Sequence, residues 1–255
     1  MQQDQNPSSL RPISPDRRLR VVEVREVLSL TPHMRRITFA SAALMDFPVR
    51  RPAQWVKLFA PAPESETPSG RAYTIRHFRE ETCEMDIDFV LHGDGPCSSW
   101  AANAKPGDVV QIAGPRSGFR LDPEISHLLI GGDETALPAI GAILEALPEG
   151  IAADVFVEIP EDADAQIIRS RADVGMTWLP RNGKEIGTTT ALAEAMMAVA
   201  LPEESGEVWF AAEASVVRAV RRHFQVERGL DRRRITASGY WKLGHTDFRD
   251  DDGGL

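Results

Sequence analysis

The chain has 255 residues, of which 42% are apolar and 26% charged, and this length and composition predict two compact globular domains. A net charge of −9 argues against general binding to nucleic acid. No apolar run approaches the roughly 20 residues of a membrane span, and residues 1–18 have no apolar core for a secretory signal, so we expect a cytoplasmic protein.

Cysteine and histidine usage argues against a metal centre. The only two cysteines, Cys83 and Cys97, cannot build a four-thiolate zinc site or iron–sulfur cluster. The six histidines are scattered, without metal-ligand spacing. The sequence therefore predicts no metal site, and redox chemistry would require an organic cofactor.

Short strand-like segments dominate the first half of the chain. Residues 1–15 are rich in Gln, Pro and Ser and are predicted to be a disordered tail. About six strands at near-regular spacing, with one helix late in the order, favour a closed antiparallel barrel over residues 16–122. The strands are predicted near 19–24, 34–39, 55–59, 71–76, 85–91 and 109–113.

The stretch 71–76, Arg-Ala-Tyr-Thr-Ile-Arg, combines an aromatic ring, a hydroxyl and two guanidinium groups. It suits a ligand with a flat ring system and a diphosphate tail. Tyr73 can stack on the ring, Thr74 can hydrogen-bond a ring nitrogen, and Arg76 can hold a phosphate. A surface strand with exposed arginines is the alternative interpretation.

A glycine-containing turn follows the strand at 85–91, and Pro96 with Ser98 marks the start of a helix. Free amides at a helix start, next to glycines that allow close approach, form a natural cradle for a diphosphate. An ordinary strand–turn–helix connection would show the same pattern.

The second half of the chain alternates strands with helices. This alternation specifies a parallel sheet covered by helices on both faces, over residues 123–244. Residues 245–255 are too acidic and glycine-rich to fold alone. Strands are predicted near 127–132, 153–159, 176–179 and 207–211, and helices near 137–147, 188–201 and 215–227.

The turn after the first of these strands departs from a dinucleotide-binding fingerprint. Asp133 and Glu134 stand where a third glycine would bring helix amides onto phosphate. Carboxylates suit a helix N-terminus as caps but repel phosphate there. The sequence therefore predicts weakened or shifted NAD(P)H binding. The acidic run 158–164 has no arginine for a 2′-phosphate, which favours NADH.

Aromatic and basic residues gather near the C-terminus. Tyr240 and Trp241 lie in the motif GYWKLG at 239–244, and seven arginines precede it between 218 and 234. Trp241 could cover an exposed ring face or dock this tail on the first domain, and plain packing of the last strand is the alternative. The arginines fit a solvated helix face, or a positive field that attracts anionic ligands.

Four segments together resemble the siderophore-interacting proteins, which are FAD-dependent ferric-siderophore reductases of the ferredoxin-reductase-like superfamily. The resemblance implies an N-terminal antiparallel six-stranded FAD-binding β-barrel, followed by a parallel α/β nucleotide-binding-like domain. The segments are RAYTIRHF at 71–78, DFVLHGDGPCSSWA at 88–101 with KPGD at 105–108, LLIGGDETALPAI at 128–140 and GYWKLG at 239–244.

The resemblance also implies roles for individual residues. No covalent catalytic residue is expected, because electrons pass through the flavin. Lys242 stands where the family carries a basic residue, and we predict it to contact substrate together with Arg232, Arg233 and Arg234. The predicted cofactor contacts are Arg71, Tyr73, Thr74, Arg76, Asp88, Val90, His92, Gly93, Gly95, Pro96, Ser98, Ser99, Trp100, Asp133, Glu134, Thr135, Ala136, Tyr240 and Trp241.

The implied function is electron transfer from NAD(P)H through FAD to Fe(III) held by a siderophore or another ferric chelate. FAD accepts a hydride and passes on single electrons, so it can join a two-electron donor to a one-electron acceptor. Two alternatives stay open. One is a flavin reductase linked to ferredoxin, which the unusual turn at 131–135 keeps open, and the other is a flavin-containing siderophore-binding protein without turnover.

Overall fold

Two sheets organise the chain in the computed structural model, which describes residues 18–61, 70–92, 95–245 and 248. The antiparallel sheet consists of β1 (Leu19–Thr31), β2 (Met34–Ala40), β3 (Trp55–Phe59), β4 (Gly70–Thr74), β5 (His77–Arg79), β6 (Glu84–Val90) and β7 (Val109–Arg116). The parallel sheet consists of β8 (His127–Gly132), β9 (Ala152–Ile159), β10 (Asp173–Pro180), β11 (Gly206–Glu213) and β12 (Ile235–Trp241). The helices are α1 (Pro96–Asn103), α2 (Leu137–Ala146), α3 (Ala191–Met197) and α4 (Ala214–Arg222).

The two ends of the antiparallel sheet meet at Ile75 and Arg76. Its strand order, β4-β3-β7-β1-β2-β6-β5, puts β4 at one end and β5 at the other. These two strands are consecutive in the chain, so one bent segment supplies both ends of the sheet. Ile75 N donates to Gln54 O at 2.7 Å, and Arg76 N donates to Asp86 O on β6 at 2.8 Å. Counted as one bent strand, β4 and β5 give the predicted six-stranded antiparallel architecture.

Alternation along the strands fills the barrel with apolar side chains. Val22 and Val24 of β1 and Ile37 and Phe39 of β2 are fully buried, while most of their neighbours in the strands remain partly or fully exposed. This is the period-two pattern of a sheet with one buried face. Burial of such side chains stabilises the fold by about 1.5–3 kcal/mol each.

The parallel sheet has its topological switch point between β8 and β11. The order is β10-β9-β8-β11-β12, so the chain begins in the middle, builds outward to β10, and returns to build β11 and β12 on the other side. Ligands of such sheets bind beyond the carboxyl ends of the strands, at the point where the order reverses. Here that edge carries Asp133 directly after β8 and Glu213 at the end of β11. We call it the carboxyl edge. The predicted fold class is confirmed.

One predicted helix is shorter than expected. The sequence predicts a helix over about 188–201, but α3 spans only Ala191–Met197. Thr189 precedes the helix, and its hydroxyl donates to the buried carboxylate of Glu158 at the carboxyl edge. Within the described residues, no helix combines the length and apolar character needed to cross a membrane.

A cluster of charged side chains, Arg76, His77, Asp86 and Glu145, joins the barrel to helix α2, and we call it the interdomain clasp. Arg76 donates from Nη1 and Nη2 to the two oxygens of Glu145, at 2.6 and 2.5 Å. The ring nitrogens of His77 lie 3.1 Å from Asp86 and 3.1 Å from Glu145. A Cβ at Gly141 would lie 2.8 Å from the Arg76 guanidinium, so the glycine permits this close approach.

A second contact between the domains involves the β1–β2 turn. Asp164 accepts hydrogen bonds from the Thr31 hydroxyl at 2.7 Å and from the His33 amide at 3.1 Å, and its other oxygen lies 2.8 Å from His33 Nδ1. His33, Glu161 and Asp164 place potential metal-ligand atoms within 4.8 Å of one another. Because Thr31 and His33 already occupy both Asp164 oxygens, we describe the group as a polar contact between the domains.

The charges of Glu145 and His77 determine the pH range in which the clasp stabilises the protein most strongly. Burial favours the neutral form of Glu145, but the hydrogen bonds from Arg76 and His77 outweigh it and hold the pKa of Glu145 at about 2. Hydrogen bonds to Asp86 and Glu145 raise the pKa of His77. The contribution of the Glu145 charge to the free energy of unfolding is lost progressively as pH falls below about 4.5. The contribution of the His77 charge is lost progressively as pH rises above about 6.5.

We therefore expect Glu145→Gln to lower the free energy of unfolding most between about pH 4.5 and 6.5. The expected loss is about 1–2 kcal/mol, discounted because the Glu145 side chain is 33% exposed. Urea unfolding as a function of pH measures it. Glu149→Gln, at an exposed position just after α2, is the matched control. Equal curves for the two variants would contradict the role of the clasp.

Candidate functional site

Tyr73 and Thr74 lie at the end of β4, next to the point where the barrel closes. The Tyr73 ring packs 4.4 Å from the Phe89 ring, centroid to centroid, and burial raises the pKa of Tyr73, so its phenol stays neutral. Thr74 is buried and Arg71 is half-buried on the same strand. The Tyr73 ring offers an aromatic surface and Thr74, the next residue of β4, offers a hydroxyl, and both kinds of group suit a flat ring system with hydrogen-bonding nitrogens.

The start of helix α1 is open to an anion. Its N-cap residue Gly95 has extended backbone dihedrals, no described side chain caps the helix start, and no acidic residue lies in its first turn. No described atom lies within 4 Å of where a Cβ of Gly95 would be. The Ser98 hydroxyl instead accepts from the His92 amide at 3.1 Å, which links the first turn of α1 to the residue that follows β6 by two positions. Uncapped amides and the helix dipole make this a fitting place for a diphosphate.

The other predicted cofactor residues of the first domain are mostly buried or packed next to this site, and one lies outside the described residues. Asp88 is 3% exposed and accepts two hydrogen bonds from Arg36, at 2.6 and 2.8 Å. Trp100 packs against Phe39 and Phe89. Val90 ends β6, and Pro96 and Ser99 lie in the first turn of α1. Gly93 lies outside the described residues.

Arg76 is not part of an open anion cradle. It is 8% exposed, and Glu145 already engages its guanidinium in the interdomain clasp. Asp88 lies 3.8 Å from its Nε. A phosphate at Arg76 would therefore have to replace the ion pair with Glu145.

At the carboxyl edge, Asp133 accepts four hydrogen bonds and joins three strands. Oδ1 accepts from the amide and hydroxyl of Thr135 at 2.9 and 2.5 Å. Oδ2 accepts from the amide of Glu213 at 3.1 Å and from Nε1 of Trp241 at 2.8 Å. Complete burial, together with the charge of Glu134, raises the pKa of Asp133 to about 6.

Glu134 forms a buried ion pair with Arg181. The guanidinium of Arg181 donates to both Glu134 oxygens, at 2.6 and 2.7 Å, and to Glu158 at 3.4 Å. The three side chains are each only 6% exposed. Arg181 and Glu158 were not predicted as site residues, and the separation of Arg181 from Glu134 by 47 positions leaves no signal in the sequence.

The expectation that Asp133 and Glu134 crowd a phosphate as helix caps is therefore corrected. Helix α2 has Ala136 at its N-cap position and no side-chain cap. Both carboxylates point inward and are occupied by Thr135, Trp241 and Arg181. Their residual charge still disfavours an anion at this edge, but it does so from within the protein.

The GYWKLG motif ends β12 at this same edge. The Trp241 ring packs over Gly187, where an added Cβ would lie 2.8 Å from the ring. Trp241 thus packs within the second domain, which supports the plain-packing interpretation. Tyr240 is 41% exposed. Lys242 is half-buried and begins a turn in which His245 N donates to Lys242 O at 3.0 Å.

Arg232, Arg233 and Arg234 lie at the opposite edge of the sheet. They form a short 3₁₀ turn just before β12 begins, whereas Lys242 follows the end of that strand. Seven residues of extended chain separate these ends by about 20 Å. Arg233 pairs with Asp231 at 2.7 Å. The structure therefore does not bring these arginines together with Lys242.

Family models match the chain in two consecutive parts. The siderophore-interacting FAD-binding domain matches residues 23–69 and 61–119, and the siderophore-interacting protein model matches residues 125–244. Ferric vibriobactin reductase of Vibrio cholerae serotype O1 is 31% identical over 227 residues, covering 82% of this chain and 84% of that protein. The mycobactin import ATP-binding/permease protein of Mycolicibacterium smegmatis is 33% identical over 88% of this chain and 26% of that protein.

Solved structures give the same result. A siderophore utilization protein from T. fusca superposes with a TM-score of 0.85 at 33% identity, covering 91% of this chain and 95% of that one. The siderophore-interacting protein SipS from Aeromonas hydrophila has a TM-score of 0.81 at 36% identity, with coverages of 91% and 94%. A ferredoxin NADP+ reductase from Neisseria gonorrhoeae shares the fold, with a TM-score of 0.63 at 15% identity and coverages of 88% and 99%.

The buried ion pair predicts a large effect of Arg181 on stability. Arg181→Ala would leave Glu134 and Glu158 buried without a countercharge, so we expect a loss of about 3–5 kcal/mol in the free energy of unfolding. Urea unfolding measures it, with Arg222→Ala as the control because the Arg222 side chain is 76% exposed. If both variants lose the same small amount of unfolding free energy, Arg181 is not the countercharge that stabilises Glu134 and Glu158.

Proposed function

The chain belongs to the siderophore-interacting protein family, and from this premise we propose that it is an oxidoreductase that passes electrons from NAD(P)H through bound FAD to Fe(III) held by a siderophore. The product, Fe(II), is held less tightly by hard oxygen ligands and is released for iron assimilation. We place this activity in the cytoplasm.

The observation that carries the proposal is the combination of a rigid aromatic face with an open helix start. Tyr73 would stack on the flavin ring and Thr74 would hydrogen-bond a ring nitrogen. The amides at the start of α1, next to Gly95, would hold the diphosphate. When bound, FAD supplies the change from two-electron to one-electron transfer.

The second domain would supply the electron donor and the metal chelate. Lys242 brings a positive charge to the carboxyl edge, where it would attract an anionic ferric chelate. We propose NADH as the preferred donor, because Arg181 is engaged by Glu134 and Glu158 and does not offer its charge to a 2′-phosphate.

Anaerobic turnover tests the proposal. The purified protein is incubated with a ferric siderophore, a colorimetric Fe(II) chelator and NADH, NADPH or no donor. The proposal predicts donor-dependent formation of Fe(II). A yellow protein that yields no Fe(II) with either nicotinamide but does so with reduced ferredoxin would support the ferredoxin-linked alternative. Binding of the siderophore without Fe(II) from any donor would support a binding protein without turnover.

The helix start gives a sharp test of FAD binding. Gly95→Asp fits sterically and caps α1, which favours the helix, but its carboxylate repels the FAD diphosphate. We expect FAD affinity to fall about ten-fold, the effect of one like charge nearby, while thermal stability of the FAD-free protein stays equal or rises.

Titration of the FAD-free protein with FAD, followed by flavin fluorescence, measures the affinity. Gly95→Asn is the control, since it has the same shape and capping ability without the charge. Equal affinity for the Asp and Asn variants would show that the diphosphate does not lie at this helix start.

A further inference from the structure

Lys242 lies between two residues that are held by buried carboxylates. On one side, Trp241 donates from Nε1 to Asp133 Oδ2 at 2.8 Å. On the other side, the backbone amide of Leu243 donates to Glu213 Oε1 at 3.2 Å. The segment that carries Lys242 is therefore fixed at both ends by groups from two other strands.

Asp133 and Glu213 are also connected to each other through hydrogen bonds. The amide of Glu213 donates to Asp133 at 3.1 Å. The other oxygen of Glu213 caps helix α4, accepting from the amides of Ser215 and Val216 at 2.5 and 3.3 Å and from the Ser215 hydroxyl. Asp133, Glu213 and the residues they hold thus form one connected unit at the topological switch point.

The burial of these two carboxylates is electrostatically unfavourable, because it removes negative charge from water. Asp133 and Glu213 are 2% and 3% exposed, and no ion pair to either is recorded among the described residues. Their negative charge opposes the binding of any anion at this edge. The hydrogen bonds that they accept account for their presence, because those bonds hold Trp241 and Leu243 in place.

We propose that Asp133 and Glu213 are positioning residues for Lys242, which hold its neighbours and thereby direct its ammonium group toward an anionic metal chelate. This inference rests on the proposed function, because it takes the ferric chelate as the ligand of Lys242. The carboxylates themselves do not touch the chelate.

A double-mutant cycle between Asp133 and Lys242 tests the inference by binding alone. The probes are the gallium(III) complexes of an anionic tris-catecholate and a neutral tris-hydroxamate chelator. Gallium(III) matches the charge of Fe(III) but is not reduced, so the readout, the heat of binding to the flavin-loaded protein measured by titration calorimetry, is independent of turnover. The variants are Lys242→Ala, Asp133→Asn and the combination of both.

We expect each single variant to bind the anionic complex about ten-fold more weakly, the loss of one charge-assisted contact. The combined variant should be no weaker than Lys242→Ala, because Asp133 acts only through Lys242. Affinity for the neutral complex should be unchanged in all three.

Two further variants approach the same contacts from other residues. Trp241→Phe keeps an aromatic side chain at this position but removes the donor to Asp133, and Glu213→Gln weakens the contact to Leu243. Both should bind the anionic complex about ten-fold more weakly, as expected for Asp133→Asn. They therefore keep the inference testable if Asp133→Asn does not fold. Ser215→Ala is the matched control for Glu213, since it removes only the hydroxyl contact on the capping side, and it should bind the anionic complex like the unchanged protein.

The outcomes are distinguishable. Additive losses in the combined variant, or equal losses on the neutral complex, would overturn the positioning role. If Lys242→Ala binds the anionic complex as tightly as the unchanged protein, the positioning role is also overturned, but the proposed ferric reduction is not contradicted. If the unchanged protein binds neither gallium complex and reduces no ferric chelate, the proposed function itself fails.

Discussion

The burial of Arg76 between the two domains is the constraint on which the rest of the structure depends. A guanidinium that is only 8% exposed needs countercharge, and Glu145 of α2 provides it with two short hydrogen bonds. Because Arg76 also lies at the bend between β4 and β5, this ion pair fixes α2 against the barrel. Helix α2 in turn follows β8, so the carboxyl edge is oriented relative to Tyr73.

Each domain contributes one part of the proposed site. The barrel offers an aromatic face and an uncapped helix start, which suit a large anionic cofactor. The parallel sheet offers an edge rich in buried carboxylates, of which Glu134 is neutralised by Arg181 while Asp133 holds Trp241. Such an edge disfavours free anions in general, and a cation at Lys242 restores attraction at one point. If a ferric chelate binds at this edge as proposed, its binding would depend on this one positive charge.

Much of this fold followed from local sequence patterns, whereas the pairing of the charges did not. Alternating apolar residues predicted the barrel, and alternating strands and helices predicted the parallel sheet. The partner of Arg181 lies 47 positions away, a distance that periodicity does not report. Arg232 to Arg234 stand close to Lys242 in sequence, yet the extended strand β12 carries them to the other edge. For Trp241 the sequence left open a ring face, the first domain or plain packing of the last strand, and the hydrogen bond from its indole nitrogen to Asp133 was not visible in any local pattern.

The most direct test of the central claim is the transfer of electrons from the flavin to chelated iron, measured without any natural donor. The flavin-loaded protein is reduced photochemically under anaerobic conditions and mixed rapidly with a ferric siderophore or with its gallium(III) counterpart. The account predicts that the oxidised flavin spectrum returns only with the ferric complex, in step with the formation of Fe(II). A flavin that stays reduced in the presence of saturating ferric siderophore would contradict the account.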